Sequence, residues 1–124
     1  MKKRVLLSIH PEYANAILSG QKQFEFRRVI FRRPVDEVVV YATRPVGRVL
    51  GSFIVDEIYA DIPRDLWKKT KKMGGVSKEK FDSYFQDREI AFAIKITNPN
   101  RFAVPQPLSK YVASNYPPQS FCYV

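Results

Sequence analysis

From residue 89 to 97 the chain alternates large apolar side chains (Ile90, Phe92, Ile94, Ile96) with Ala91, Ala93 and Lys95, and the same two-residue period governs Gln23-Phe24-Glu25-Phe26-Arg27. Helical neighbours recur every three to four positions, so this period commits both segments to strands with two chemically different faces. β-branched and aromatic residues at Val5–Ile9, Glu37–Ala42, Arg48–Tyr59 and Ser120–Val124 give further strand signals, and the turn Thr43-Arg44-Pro45-Val46-Gly47 makes a hairpin of the second and third. A chain of 124 residues has room for one core of this kind, which predicts a single domain over 1–124. Hydrophobic residues make up 45%, with nine Phe, seven Tyr and one Trp, ample to fill that core and contrary to a disordered linker.

Short helices fall between the strands. Pro11–Ser19 places Tyr13, Ala14, Ile17 and Leu18 on one stripe and stops at Gly20, a residue suited to the left-handed turn that ends helices. A second helix opens at Asp61-Ile62-Pro63, carries Leu66, Trp67 and Thr70, and stops at Gly74-Gly75. Ser77 caps a third, in which Phe81, Tyr84 and Phe85 share a face. Trp67 reads as a core or interface residue rather than a stacking platform. Residues 98–124 hold five of the nine prolines and predict an irregular tail with a short helix at Leu108–Ala113. Hairpin-like order with interposed helices argues for an α+β fold, a small mixed β-barrel with short helices packed around it, rather than a parallel βαβ sheet.

Charge and rare residues narrow the chemistry. Lys and Arg number 21 against 12 Asp and Glu, a formal net charge of +9 that points to polyanionic partners. Between Lys22 and Arg48 the basic residues are Lys22, Arg27, Arg28, Arg32, Arg33, Arg44 and Arg48, a bias to the planar guanidinium fork that suits phosphate and stacks on bases. The all-lysine run Lys68, Lys69, Lys71 and Lys72 reads equally as a solvated helix face or a phosphate contact. One cysteine (Cys122) and one histidine (His10) leave no dedicated zinc site and no internal disulfide, and no Gly-rich phosphate loop can be written. No metal and no cofactor are expected. No apolar run approaches the roughly 20 residues of a membrane-spanning helix. Met1-Lys2-Lys3-Arg4 leads into too short an apolar stretch for a secretory leader, so a cytoplasmic location is expected.

The informative constellation is Gly20-Gln21-Lys22-Gln23-Phe24-Glu25-Phe26-Arg27-Arg28, a helix stop followed by a strand. With Phe24 and Phe26 facing the core, Glu25 and Arg27 project together, and Lys22 lies close enough to share their cleft. The alternative is a surface salt-bridge ladder. His10, at the strand-to-helix junction, either faces the cleft or caps the helix, and Arg44 in the hairpin turn is a candidate polyanion contact.

Gly20-x-Lys22-x-x-Glu25-x-Arg27 resembles the G-x-K-x-x-E-x-R signature of the ASCH domain, a family of PUA-like β-barrels. The likeness continues in Leu7-Ser8-Ile9-His10-Pro11-Glu12-Tyr13-Ala14, in Val40-Tyr41-Ala42-Thr43-Arg44-Pro45-Val46, in Val49-Leu50-Gly51-Ser52-Phe53 and in Pro117-Pro118-Gln119-Ser120-Phe121, nearly the whole of a small stand-alone member. The resemblance implies a cleft lined by the signature that takes RNA or modified nucleotides, with Gln119 and Ser120 as its neighbours. Some members are N4-acetylcytidine amidohydrolases that use the signature Lys, a Thr three residues on and a later Glu; others are ribonucleases or coregulators. Here the Lys is Lys22, Glu25 stands in the Thr position, and either Asp56 or Glu57 is the later acid.

Two readings follow. In the first, the protein is an RNA or modified-nucleotide binding module with a regulatory role: Lys22 and Arg27 hold phosphate, Glu25 accepts from a base amino group, and Tyr41 or Phe53 stacks. His10, Arg44, Gln119 and Ser120 complete that binding set. In the second, it is a metal-independent hydrolase that uses Lys22 with Glu25. A lysine acts as base or nucleophile only if its pKa falls toward neutrality, and a carboxylate beside it works against that unless Arg27 engages Glu25 first, which ranks binding ahead of catalysis.

Overall fold

The computed structural model describes residues 3–124; Met1 and Lys2, which open the N-terminal run weighed above as a leader, lie outside the described residues. Strands β1 (Arg4–Ile9), β2 (Phe24–Arg27), β3 (Glu37–Ala42), β4 (Arg48–Asp61), β5 (Ala91–Gln106) and β6 (Phe121–Tyr123) form one sheet in the order β2-β5-β4-β3-β1-β6. Helices α1 (Pro11–Leu18), α2 (Pro63–Thr70) and α3 (Lys78–Tyr84) lie between them, and a 3-10 turn spans Leu108–Lys110. The β1–β3 pair is parallel and every other pair antiparallel, which confirms the α+β class.

The parity of each strand sorts its side chains between three apolar clusters. Val5, Leu7 and Ile9 of β1 and Val38, Val40 and Ala42 of β3 face α1, whose Ala14, Ile17 and Leu18 complete the main core with Phe53 and Ile94. The opposite parity, Leu6, Val39 and Tyr41, packs with Val49 and Leu108 on the other face. Phe24 and Phe26 of β2 leave both of these and build a third cluster with Leu66 of α2 and Phe81 and Phe85 of α3. Trp67, partly buried, packs against that cluster on Phe81, 5.2 Å between ring centroids.

Bulges curl the sheet. The β3–β4 register shifts between Val40 and Tyr41, and the β4–β5 register shifts at Val49/Gly51, Ser52/Ile54 and Val55/Glu57; each inserted residue bends the strand and increases its twist. The result is a curled half-barrel whose end strands, β2 and β6, are not joined by a backbone ladder among the described residues. One side chain spans that opening. The Arg27 guanidinium on β2 donates to the Ser120 hydroxyl at 2.7 Å and to the Ser120 carbonyl at 3.0 Å, just ahead of β6.

The tail differs from its expected irregularity. Strand β5 continues through Pro99 and Pro105 to Gln106, because both prolines fall at positions without a paired partner in the β4 ladder, where a missing N–H costs nothing. The helix expected at Leu108–Ala113 is only the 3-10 turn, and β6 is shorter than the expected strand by a residue at each end.

Gly51 sits where three elements meet. A Cβ there would collide with the Asn100 carbonyl oxygen of β5 and lie 2.8 Å from Leu18 Cδ2 of α1, and neither backbone nor packed core can give way freely. Gly51→Ala is therefore expected to lower stability by about 2 kcal/mol through overpacking, read as a lower urea midpoint at unchanged slope; an unchanged midpoint would show that the close approach is not maintained in solution.

Candidate functional site

Gly20 takes φ 86°, ends α1, and turns the chain so that the Lys22 amide donates back to the Ala16 carbonyl at 3.0 Å. This tuck drives the Lys22 side chain inward until only 2% of the residue is exposed. Its ammonium donates to the Gly74 carbonyl and lies 4.7 Å from the Phe26 ring centroid and 5.3 Å from that of Tyr13, so two aromatic faces replace part of its hydration. Gly75, at φ 72°, leaves the space that the Lys22 methylenes fill: a Cβ there would lie 2.7 Å from Lys22 Cγ. The glycine pair thus cradles the lysine, a role its isolated position after a helix did not disclose.

Glu25 and Arg27 are buried as well, at 6% and 8% exposure, so they are not a surface ladder. The alternation of β2 sets them on one side while Phe24 and Phe26 enter the third cluster. Arg27 Nη1 donates to Glu25 Oε2 at 3.0 Å and to the Ser8 carbonyl at 3.5 Å, and Nη2 takes the two Ser120 acceptors. Both terminal nitrogens of the guanidinium are engaged inside the protein, which makes Arg27 a positioning group more than a free phosphate clamp. Because Arg27 occupies Glu25, the balance on Lys22 differs from the expectation that a neighbouring carboxylate holds it charged. Burial pushes the Lys22 pKa down, and the opposing attraction of Glu25 is the smaller effect.

Lys22, Glu25 and Arg27 meet on one cavity of about 540 Å³. His10 and Tyr13 from the start of α1 border it, as do Ser8, Phe26, and Glu79, Lys80 and Tyr84 of α3. His10 is exposed and makes no capping bond to α1, which leaves it on the cleft side of its two alternatives. Ser120 reaches the site through Arg27, whereas Gln119 is exposed and outside the cavity lining.

Three expectations need correction. Tyr41, expected to stack on a base, is 5% exposed in the cluster on the other sheet face, because β3 parity pairs it with Val39 rather than Val40. Phe53, the alternative, is fully buried in the main core. Arg44, by contrast, is exposed on the hairpin turn, outside the cavity lining, a position compatible with its expected contact to a polyanion. Asp56 and Glu57 are both exposed; the bulge at Val55/Glu57 turns that stretch outward, and Asp56 faces Lys95 at 3.6 Å. The later acid on the cavity is Glu79, supplied by α3, together with Lys80 and Tyr84. Nothing in the local sequence marked these three, since only the docking of α3 on Phe26 brings them in. Among the described residues no group of three or more His, Cys, Asp or Glu could hold a metal ion, and no helix is long and apolar enough to cross a membrane.

A curled six-stranded sheet, three short helices and a Gly-x-Lys-x-x-Glu-x-Arg strand on a helix-flanked cavity define a small α+β domain of the PUA-like kind. Residues 7–100 match the ASCH domain, and the chain belongs to that family. It is 32% identical over 126 residues to the ASCH domain-containing ribonuclease of Zymomonas mobilis, an alignment that covers 99% of this chain and 85% of that relative. The crystal structure of ASCH from Zymomonas mobilis superposes with a TM-score of 0.91 at 31% identity, over 98% of this chain and 87% of the other. A more partial likeness, 25% identity over 86% of this chain but 35% of the relative, is to large ribosomal subunit protein uL22 of Ureaplasma parvum.

The depressed Lys22 pKa has a thermodynamic consequence. Between its lowered folded value and the ordinary 10.5, the unfolded chain holds a proton that the folded chain has released, so stability rises with pH across that window. The stability of the wild type relative to Lys22→Met is expected to climb as pH rises through the window below 10.5 and then level off above it, measured by urea unfolding at a series of pH values. A difference that stays flat or falls would place the ammonium in a better-solvated site than the one described.

Proposed function

We propose that this protein acts on RNA by taking a single unpaired nucleotide into the cavity bounded by β2, α1 and α3. The observation that carries this reading is the buried Glu25–Arg27 pair facing a hollow with aromatic walls. Arg27 fixes one carboxylate oxygen, and Oε1 remains to accept from the amino or imino N–H groups of a base. Tyr13, Phe26, Tyr84 and His10 offer ring surfaces against which a base stacks. A volume of about 540 Å³ accommodates a nucleoside but not a duplex, which favours single-stranded or looped RNA. The relative named as a ribonuclease supports RNA as the class of target. A regulatory role as a binding module is consistent with this chemistry.

A second reading, a metal-independent hydrolase, is favoured by one specific observation: desolvation holds the Lys22 amine below its ordinary pKa, the condition under which a lysine acts as general base or nucleophile. In this reading Lys22 works with Glu25, and Glu79 lines the same hollow as a further carboxyl group. An RNA phosphodiester and the amide of an acetylated cytidine are the two substrate classes it would accept.

Fluorescence anisotropy with a short single-stranded RNA tests the binding reading. The wild type is expected to bind it better than the matching duplex, Glu25→Gln to lose roughly tenfold or more through one charged acceptor, and Lys110→Ala to stay within about twofold. A loss at Lys110→Ala with no loss, or a gain, at Glu25→Gln would reduce the interaction to nonspecific charge, because removing a carboxylate only strengthens attraction to a polyanion. Incubation of the same RNA and of N4-acetylcytidine with chelator present separates the second reading, since turnover abolished by Lys22→Met supports it and turnover that survives the change removes Lys22 from catalysis.

A further inference from the structure

The lysine run of α2 and its following turn divides into two unlike halves. Lys69 is engaged, 2.8 Å from an Asp61 carboxylate oxygen and 5.9 Å from the Tyr59 ring centroid, and Lys68 borders none of the cavities beside the candidate site. Lys71 and Lys72 turn instead into a second hollow of about 420 Å³, where Lys80 of α3 joins them. All three are exposed, and among the described residues none has an ion-pair partner within 4 Å. Glu12 is the one carboxylate on that hollow, and Ser77 adds a hydroxyl.

This hollow adjoins the cavity: Tyr13, Val76 and Lys80 line both, so the three lysines lie beside the cavity's Tyr13 wall. Within the cavity itself both cations are held by the protein and nearly buried, Arg27 Nη1 and Nη2 by Glu25, Ser8 and Ser120, and Lys22 by one bond to the Gly74 carbonyl. The exposed cation on the cavity is Lys80 at its rim, and exposed positive charge continues from there into the second hollow.

Resting on the reading that the cavity takes an RNA base, we propose that Lys71, Lys72 and Lys80 form the track for the phosphates flanking that base, so that base selection and backbone attachment are carried by separate groups. Lysine suits the second task, since a flexible ammonium contacts phosphate as a point charge without reading sequence. Glu25 contributes to selectivity, and the lysine track contributes sequence-independent affinity.

The test compares single-stranded eight-nucleotide oligoadenylate and oligouridylate across a salt series. The triple variant Lys71→Ala, Lys72→Ala, Lys80→Ala is expected to weaken both oligomers by the same factor and to lower the magnitude of the log–log salt slope by about 2, near 0.7 for each phosphate that is no longer neutralised. The charge-preserving triple Lys71→Arg, Lys72→Arg, Lys80→Arg is expected to keep the wild-type slope. A control triple to Ala at Lys3, Lys95 and Lys110, which border none of these hollows, is expected to reduce the slope by less than half as much. If the track triple changes affinity and slope no more than the control triple while Glu25→Gln still weakens binding, the track is overturned and the cavity reading stands. If neither the track triple nor Glu25→Gln weakens binding, both fall.

Discussion

Three charged side chains, Lys22, Glu25 and Arg27, are each less than a tenth exposed in a protein of 124 residues, and a burial of that kind is tolerated only where partners replace the lost water. Those partners come from far apart in the chain: Gly74 after α2, Ser8 at the end of β1, Ser120 ahead of β6, and the rings of Tyr13 and Phe26. Removing one partner strands the charge it satisfies, so the arrangement fixes the mutual positions of β2, α1, the α2–α3 turn and the C-terminal segment at once. The curled sheet has no backbone ladder across its opening among the described residues, and Arg27 spans it with hydrogen bonds instead. The same network that completes the fold therefore makes the floor of the cavity.

That double role shapes the chemistry the cavity offers. A guanidinium tied through both terminal nitrogens is held in place, and it holds Glu25 in a fixed orientation, which is the preorganisation a selective hydrogen-bond acceptor needs. Lys22 is similarly fixed, with its charge disfavoured by burial rather than supported by a close ion pair. On the proposed reading, selection of a ligand falls to shape, aromatic stacking and the Glu25 carboxylate, while most of the basic residues of the chain lie outside the cavity. The smaller hollow beside it meets it at Tyr13, the one aromatic ring that borders both.

Much of this was legible in the sequence because it depends on local period. The alternation at Phe24-Glu25-Phe26-Arg27 assigned the faces of β2, and the Gly20 stop placed Lys22 between helix and strand. What was not legible depends on tertiary register. Glu37–Ala42 is apolar on both faces, so its composition gives no sign of which parity meets α1, and Tyr41 fell on the face away from the cavity. Asp56 and Glu57 were turned outward by a bulge that no turn residue announces. Pro99 and Pro105 suggested a break, yet they sit where the ladder already skips. Glu79, Lys80 and Tyr84 belong to a helix whose sequence shows only its apolar stripe, and their place on the cavity follows from the packing of Phe81 and Phe85 against Phe26.

The central claim, that an RNA nucleotide occupies the hollow above Lys22, Glu25 and Arg27, is tested most directly by photo-crosslinking a short single-stranded RNA carrying a thio-substituted base and mapping the attached peptides by mass spectrometry. The account predicts attachment at Tyr13, Tyr84 or His10. Attachment confined to the exposed basic residues around Arg32, Arg33 and Arg44, with none on the cavity walls, would contradict it.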